Sequence, residues 1–507
     1  MTQDWDGGYI ADIGYTHDYF FEMSPAHIGL ALLLSGYAAP DHTRPFAYCE
    51  LGCGQGLTTN VLAAANPTGA FWANDFNPAH INNAQALAMA AGSGNVTFLD
   101  HDFAAMAKAD LPQFDFIALH GIWSWVNEAA RQAVLAFITQ RLRVGGVVYV
   151  SYNALPGWAA AMPLREVMQH YGRGETSQQR VAAGQQIAAR LEALGGAAFA
   201  ENPAMGAKLK SLAGKPVAYL AHEYFNAVFA PSYFREVAAS MGFAKLGYAA
   251  SSHLRDNEDG LHFNAEAQAL LAEFAHPVAR EGMRDFLTNR QFRRDIFIRG
   301  PRRLTPGAQT EALLRQRLAL VAPDPDTLAL VMKLPGGEVN LKPGVYRPIL
   351  QALARRPMRV AELLAEPAIA ALGQPIVLEA VRMLCVMHAV MAALPEEGEA
   401  QRRASTERFN AAVMALARHA DGLRTLASPV LGGGVAANRF DQLFLLAAAQ
   451  GRPPVDVAWQ ALQAQGQRVA QGGNSLQGEA ENRAALTTIH GEFAHQRLPA
   501  LRRLGVA

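Results

Sequence analysis

The nine residues Tyr48-Cys49-Glu50-Leu51-Gly52-Cys53-Gly54-Gln55-Gly56 constrain this chain more than any other stretch. The apolar run from Phe46 to Cys49 has the length of a buried strand, and it ends in an acid and three glycines at alternating positions. A segment of helical character, Leu57 to Ala65, follows at once. Strand, glycine turn and helix in that order make a nucleotide cradle at the carboxyl edge of a parallel sheet. The spacing is G-x-G-x-G, and Leu57 stands where a dinucleotide-binding turn has its third glycine. The Gly-Lys-Ser/Thr of a phosphate-binding P-loop is missing as well.

What remains is a turn suited to a phosphate-free nucleoside such as S-adenosylmethionine (AdoMet). Gly52, Gly54 and Gly56 let the backbone pass close to the ligand's methionine part, and Glu50 can answer its positive charge. From residue 46 onward, strands and helices alternate regularly, which predicts βαβ units and a parallel sheet. A second strand, Ala70 to Ala73, ends at Asn74-Asp75-Phe76-Asn77-Pro78, where Asp75 is placed to hold ribose hydroxyls. A third, Val96 to Leu99, leads to Asp102 and Phe103. Asp102 can accept from an adenine amino group under the Phe103 ring, or it can simply cap the helix that follows. The fourth strand, Phe114 to Leu119, ends in His120-Gly121-Ile122-Trp123-Ser124-Trp125-Val126-Asn127. The fifth, Val147 to Val150, ends in Ser151-Tyr152-Asn153-Ala154-Leu155-Pro156-Gly157-Trp158. Polar and aromatic groups at the tips of two adjacent strands predict the floor of an active cleft. The Asn/Asp-Pro-Pro-Tyr string of adenine and glutamine-amide methyltransferases is absent there.

Composition narrows the field. At 507 residues, two to four domains are expected, and with 50% hydrophobic and 17% charged residues each can bury a core. Lys plus Arg equals Asp plus Glu at 44 each, which argues against nucleic acid or an anionic membrane as partner. Cys49, Cys53 and Cys385 are too few and too ill-spaced for a disulfide framework or a zinc site, so a cytoplasmic protein without metal is expected. The N-terminus is acidic and aromatic rather than signal-like, and the apolar run Ile28–Leu34 is too short to insert in a membrane.

On the strings ELGCGQG, NDFNPAHI, FDFIALHGIWSWV, YVSYNALPGW and YLAHEYFN, the chain resembles class I AdoMet-dependent methyltransferases. Within them it is similar to the branch of rickettsial outer-membrane-protein lysine methyltransferases that carry a methyltransferase regulatory domain. Trp123 and Asn127 stand where that branch has Tyr and Pro. The resemblance implies a doubly wound, seven-stranded Rossmann-like α/β sheet and AdoMet as cofactor. It further implies a protein substrate, such as a surface or outer-membrane protein before export, and an enzyme that can form a homodimer. The cofactor set is Tyr15, Tyr19, Glu50, Gly52, Gly54, Gly56, Asp75, Phe76, Asp102, Phe103 and His120. Tyr15 and Tyr19 belong to an aromatic N-terminal segment that can close over the cofactor or pack on the sheet. The acceptor side is assigned to Trp123, Trp125, Tyr152, Asn153 and Trp158, with His222 or Tyr224 facing it from a helical insertion. His222-Glu223 lacks a second histidine at i+4, which excludes H-E-x-x-H zinc chemistry.

Three units are expected. Residues 1–300 form the cofactor domain, with 155–230 as a helical lid; 301–397 form a winged-helix-like regulatory domain; 398–507 form a helical C-terminal domain. The presumed recognition helix near Ile376–Ala392 has one Arg and no Lys, a poor match to phosphate, so a protein-contact role is expected. Three functions fit this pattern: a protein lysine N-methyltransferase, a small-molecule methyltransferase, and a non-catalytic AdoMet sensor.

Overall fold

The computed structural model describes residues 10, 12–13, 17–334, 337–472 and 474–507. Strands β1 (Ala47–Leu51), β2 (Ala70–Asp75), β3 (Val96–Asp100), β4 (Phe114–Leu119), β5 (Leu142–Asn153), β6 (Leu246–Ser251) and β7 (Phe292–Arg299) form one sheet, ordered β3-β2-β1-β4-β5-β7-β6. The first five run parallel, and β7 lies antiparallel between β5 and β6. The expected seven-stranded doubly wound sheet, with an antiparallel edge, is present.

Helices α1 (Pro25–Leu34), α2 (Leu57–Ala65), α3 (Pro78–Ala90), α4 (Phe103–Lys108) and α5 (Glu128–Arg141) frame and connect the parallel strands. A parallel sheet must be covered on both faces, and β1 is accordingly buried at every residue. Every residue of α2 is buried too, because the chain beyond residue 398 packs on its outer side. Helices Met162–Tyr171, Ser177–Ala193, Pro203–Ser211 and Val217–Tyr224 lie between β5 and β6 and share a small core of their own.

Beyond β7, β8 (Arg317–Leu320) pairs with β11 (Met358–Arg359) and β12 (Val390–Ala393), with hairpin β9–β10 (Val331–Leu334, Gly337–Asn340) set apart. Helices Pro343–Arg355, Val360–Ala365 and Gln374–Val386 follow, the third at the place of the presumed recognition helix. The third is shorter than the sequence suggested. His388 adopts a positive φ of 54° just past it, which turns the chain back into β12. Among the described residues β12 pairs with no strand that follows it; its partner is β8, a strand that precedes all three helices. The C-terminal unit packs helices Glu399–Leu416, Arg439–Ala449, Pro454–Gln463 and Glu479–Glu492 around the hairpin β13 (Thr425–Ser428)–β14 (Gly433–Ala436). Near the C-terminus a small hairpin pairs Ala470 and Gln471 with Ser475 and Asn474. Among the described residues no helix is long and apolar enough to cross a membrane.

Candidate active site

A cleft of about 340 Å³ opens at the carboxyl ends of the parallel strands. Its base is the glycine turn, where Gly52, Gly54 and Gly56 have φ of 72°, 51° and 68°. A side chain at Gly56 would bring its Cβ to 2.5 Å from the Ala84 Cβ, and one at Gly52 would run into Ile122. At both positions positive φ and close approach together demand glycine.

Asp75 closes the turn. Its Oδ2 accepts from the Gly54 N–H at 2.9 Å, and its Oδ1 accepts from the Asn77 N–H at 2.9 Å beside His80 Nδ1 at 3.2 Å. Asn74 donates to the His101 carbonyl at 2.8 Å, while its buried Oδ1 has no protein partner. Asp102 caps α4, accepting from the Ala105 N–H at 2.7 Å, and also lines the cleft with Phe103.

Glu50 is buried under the turn and accepts from the Thr59 hydroxyl. Burial pushes its carboxyl from 4.5 up to about 8, with the charge of Asp75 adding to the shift and Thr59 opposing it. Because the folded value lies above the unfolded one, the destabilisation is absent below pH 4.5 and grows as pH rises toward 8. Glu50→Gln is therefore expected to melt higher than the parent at pH 8 without ligand, the gap closing near pH 4.5. Calorimetric melts across that range check it.

Phe20, Ile122, Trp125, Val126 and Val228 add an apolar part to the lining. Phe20 stacks on His120 with centroids 3.7 Å apart, and His120 Nδ1 meets the Tyr149 hydroxyl at 2.8 Å. Burial, then the Arg294 charge, pushes His120 down to about 3, so the ring is neutral at working pH. Trp125 packs at 4.6 Å on Phe229.

Of the residues assigned from sequence, Glu50, Gly52, Gly54, Gly56, Asp75, Phe76, Asp102, Phe103, His120 and Trp125 line the cleft. Tyr15 lies outside the described residues. Six acceptor-side assignments and Tyr19 are not among the residues that line the cleft. Tyr152 points to the opposite face of β5, fully buried, and donates to Asp295 at 2.6 Å. Trp123 is buried in the same core, with the Arg131 guanidinium 5.7 Å from its ring. Asn153 is buried, its N–H donating to the Ser124 hydroxyl at 2.9 Å. Trp158 and Tyr224 belong to the core of the helical insertion. His222 is buried against the N-terminal segment, with Nε2 at 3.1 Å from the Ile13 carbonyl. Tyr19 turns away from the cleft toward the C-terminal unit. The sequence reading missed Asp18, Phe20, Thr58, Asn74, His80, Asn226 and Val228 as lining residues.

A doubly wound sheet with a glycine turn, a strand-tip acid and a partly apolar cleft defines a nucleoside-binding transferase of the methyltransferase class. Family profiles agree: "Methyltransferase domain" matches residues 49–148, and "Predicted methyltransferase regulatory domain" matches 216–299. The second match covers the end of the insertion and strands β6 and β7, and not residues 301–397, to which the sequence reading gave the regulatory name. The uncharacterized Synechocystis protein sll1526 is 40% identical over 505 residues, covering 99% of this chain and 100% of the relative. An uncharacterized Rickettsia prowazekii protein, RP789, is 26% identical over 279 residues, 54% of this chain and 49% of its own length. PKMT2 of Rickettsia typhi, solved in complex with AdoHcy, superposes with a TM-score of 0.72 over 97% of this chain and 100% of that one, at 17% identity. The chain belongs to the class I AdoMet-dependent methyltransferases that carry a methyltransferase regulatory domain, in one family with the Synechocystis protein. It is an enzyme, and its cofactor is AdoMet. The residues present fit that cofactor: the partnerless Asn74 Oδ1 and buried Glu50 offer acceptors in the cleft wall, and the glycine turn admits a close ligand.

Proposed function

We propose that this enzyme transfers the methyl group of AdoMet to lysine side chains of a protein substrate. The observation that carries the proposal is the charge of the cleft. Asp18, Asp75 and Asp102 line it, with the Glu50 carboxyl largely protonated beneath them near pH 7, and no described lysine or arginine does. In a chain whose acidic and basic residues balance at 44 each, that bias marks a site for cations. A sulfonium and an approaching ammonium are both cations. The name of the Rickettsia typhi neighbour, PKMT2, points the same way.

In this reading Gly52, Gly54 and Glu50 hold the methionine end of the cofactor, Asp75 the ribose, and Asp102 with Phe103 the adenine. When bound, AdoMet supplies an electrophilic methyl carbon. That carbon would take the lone pair of an acceptor nitrogen while the C–S electrons left with sulfur, giving S-adenosylhomocysteine and a proton. The chain's own task is to align the amine and to strip its proton. A free lysine has a pKa of about 10.4 and is protonated at neutral pH. Phe20, Ile122, Trp125, Val126 and Val228 provide an apolar slot that lowers this value by desolvation. His120, held neutral, adds no positive charge to repel it. The Phe20 and Trp125 rings favour the cation by roughly 0.5–2 kcal/mol each. Asp18, exposed at the rim, attracts the incoming ammonium.

Incubation with labelled AdoMet and a cell lysate tests the proposal. Label on lysines of protein bands is expected; label confined to small molecules overturns the protein-substrate reading.

A further inference from the structure

The strap that supplies Asp18 and Phe20 to the cleft is tied to α2 from one side. The Phe20 N–H donates to Thr58 Oγ1 at 3.2 Å, and the Thr58 hydroxyl donates to the Asp18 carbonyl at 3.3 Å. Phe20 has extended backbone, φ −111° and ψ 98°. Neighbouring side chains on extended backbone point opposite ways, so while Phe20 faces the cleft, Tyr19 faces the C-terminal unit.

There Tyr19 fills a slot that only glycine leaves open. A Cβ on Gly433 would stand 2.5 Å from the Tyr19 hydroxyl oxygen, and one on Gly434 would stand 2.9 Å from its Cε1. The Gly434 backbone hydrogen-bonds the hydroxyl, and the ring packs against two hydrophobic cores at once. The same loop grips α2: Asn66, at that helix's end, donates to the Gly432 carbonyl at 2.9 Å. Helix Glu399–Leu416, β13 and β14 pack along α2. One glycine-rich hairpin of the C-terminal unit thus holds both the helix that starts at the glycine turn and the strap across the cleft.

We infer that Tyr19 is a positioning residue for AdoMet: anchored in the Gly432–Gly434 hairpin, it fixes Phe20 and Asp18 at the cleft, so that the C-terminal unit sets cofactor affinity. The inference depends on AdoMet as cofactor and is independent of whether the acceptor is a protein.

The geometry supplies a suppressor test. In Gly433→Ala the added methyl meets the Tyr19 hydroxyl first, with the ring's Cζ at 3.7 Å and no other atom nearer than the Ser24 Cβ at 3.7 Å. Tyr19→Phe deletes that oxygen and relieves the clash. Titrating the full-length chain with S-adenosylhomocysteine, Gly433→Ala is expected to bind at least tenfold more weakly. Tyr19→Phe should lose a few-fold, and the double variant should bind like Tyr19→Phe alone. The KM for AdoMet should rise in Gly433→Ala while kcat at saturating AdoMet stays within twofold. Wild-type affinity in folded Gly433→Ala, or failure of Tyr19→Phe to restore binding, overturns the inference. If Gly433→Ala does not fold, Tyr19→Ala carries the test. With an unchanged far-ultraviolet circular dichroism spectrum, a tenfold loss of affinity supports the inference, and no loss overturns it.

Discussion

Asp75→Ala is expected to weaken S-adenosylhomocysteine binding by at least 100-fold. The carboxylate has two tasks. In the ligand-free fold it satisfies two backbone N–H groups, those of Gly54 and Asn77, each at 2.9 Å, inside a wall where the residue is only 7% exposed. Hydrogen bonds to a charged group contribute about 1.5–3 kcal/mol, and a buried donor left without its acceptor costs a similar amount. Alanine frees the Gly54 N–H at the middle of the turn, which must then be held in a left-handed conformation by neighbours alone. The proposed second task, accepting from the ribose hydroxyls, is lost with it. The first task counts toward affinity only as far as the ligand must re-order the turn; added to the lost ribose bonds it brings the expected loss to about 2.7 kcal/mol, or 100-fold. Asp75→Asn keeps one carbonyl acceptor and is expected to lose about tenfold by the same scale. Calorimetric titration of the full-length variants measures both, with a thermal melt to show that they are folded. Binding by Asp75→Ala within threefold of the parent would remove the cleft from its assigned role.

Asp75 was legible in the sequence because everything it depends on is local: a strand, a turn and the next strand's tip, in a fold that places strand tips together. The same holds for Glu50, the three glycines, Phe76, Asp102, Phe103 and His120, all of which line the cleft. The acceptor side failed for a different reason. A strand shows its residues to alternate faces, and aromatic character alone does not say which face is which. On β5 the cleft-side phenol is Tyr149, bonded to His120, while Tyr152 lies on the other face and belongs to Asp295. Trp123 and Trp125 sit in the turn beyond β4, where no strand alternation applies, and they too divide, one to the core and one to the cleft. Asn226 and Val228 could not be chosen from the insertion at all. They line the cleft in a segment held by distant partners: the Ala230 N–H donates to the Ser124 carbonyl at 2.8 Å, and Asn226 Oδ1 accepts from the Ile10 N–H at 2.8 Å. Tyr19 shows the same limit more sharply. Its neighbour Phe20 takes the place it was assigned, and its own partner is a hairpin some four hundred residues away.

The largest effect on stability is expected at Arg293, on β7 within the matched regulatory region. The guanidinium is 5% exposed and is shared by three carboxylates. Its Nε donates to Asp295 Oδ2 at 2.8 Å, Nη1 to Asp285 Oδ1 at 2.6 Å and Nη2 to Glu281 Oε2 at 3.0 Å. It also lies 4.1 Å from the centroid of the Phe234 ring. Even with Arg293 in place, burial pushes Asp285 up to about 6, its companions Asp295 and Arg293 pulling in opposite directions. Arg293→Met retains the packing of the stem and removes the charge, leaving Asp295 buried without its cation and Asp285 with Arg290 alone, 3.9 Å away. Breaking such a network from one side costs about 3–5 kcal/mol, far more than the intact network contributes over apolar packing. The sign with pH follows from the same carboxylates. Without Arg293 their folded pKa values rise further above the unfolded ones, so the loss is full above those folded values and shrinks as pH falls toward 4. Denaturant unfolding of Arg293→Met at pH 7.5 and pH 5 should therefore show a large deficit at the first and a smaller one at the second. A deficit equal at both would mean that the arginine acts by filling space. Tyr152→Phe removes only the hydroxyl bond to Asp295 and leaves the cation in place, so it should cost about 1–3 kcal/mol. Its kcat at saturating AdoMet should then stay near that of the parent, as expected of a tyrosine that braces the sheet from the far side of the cleft.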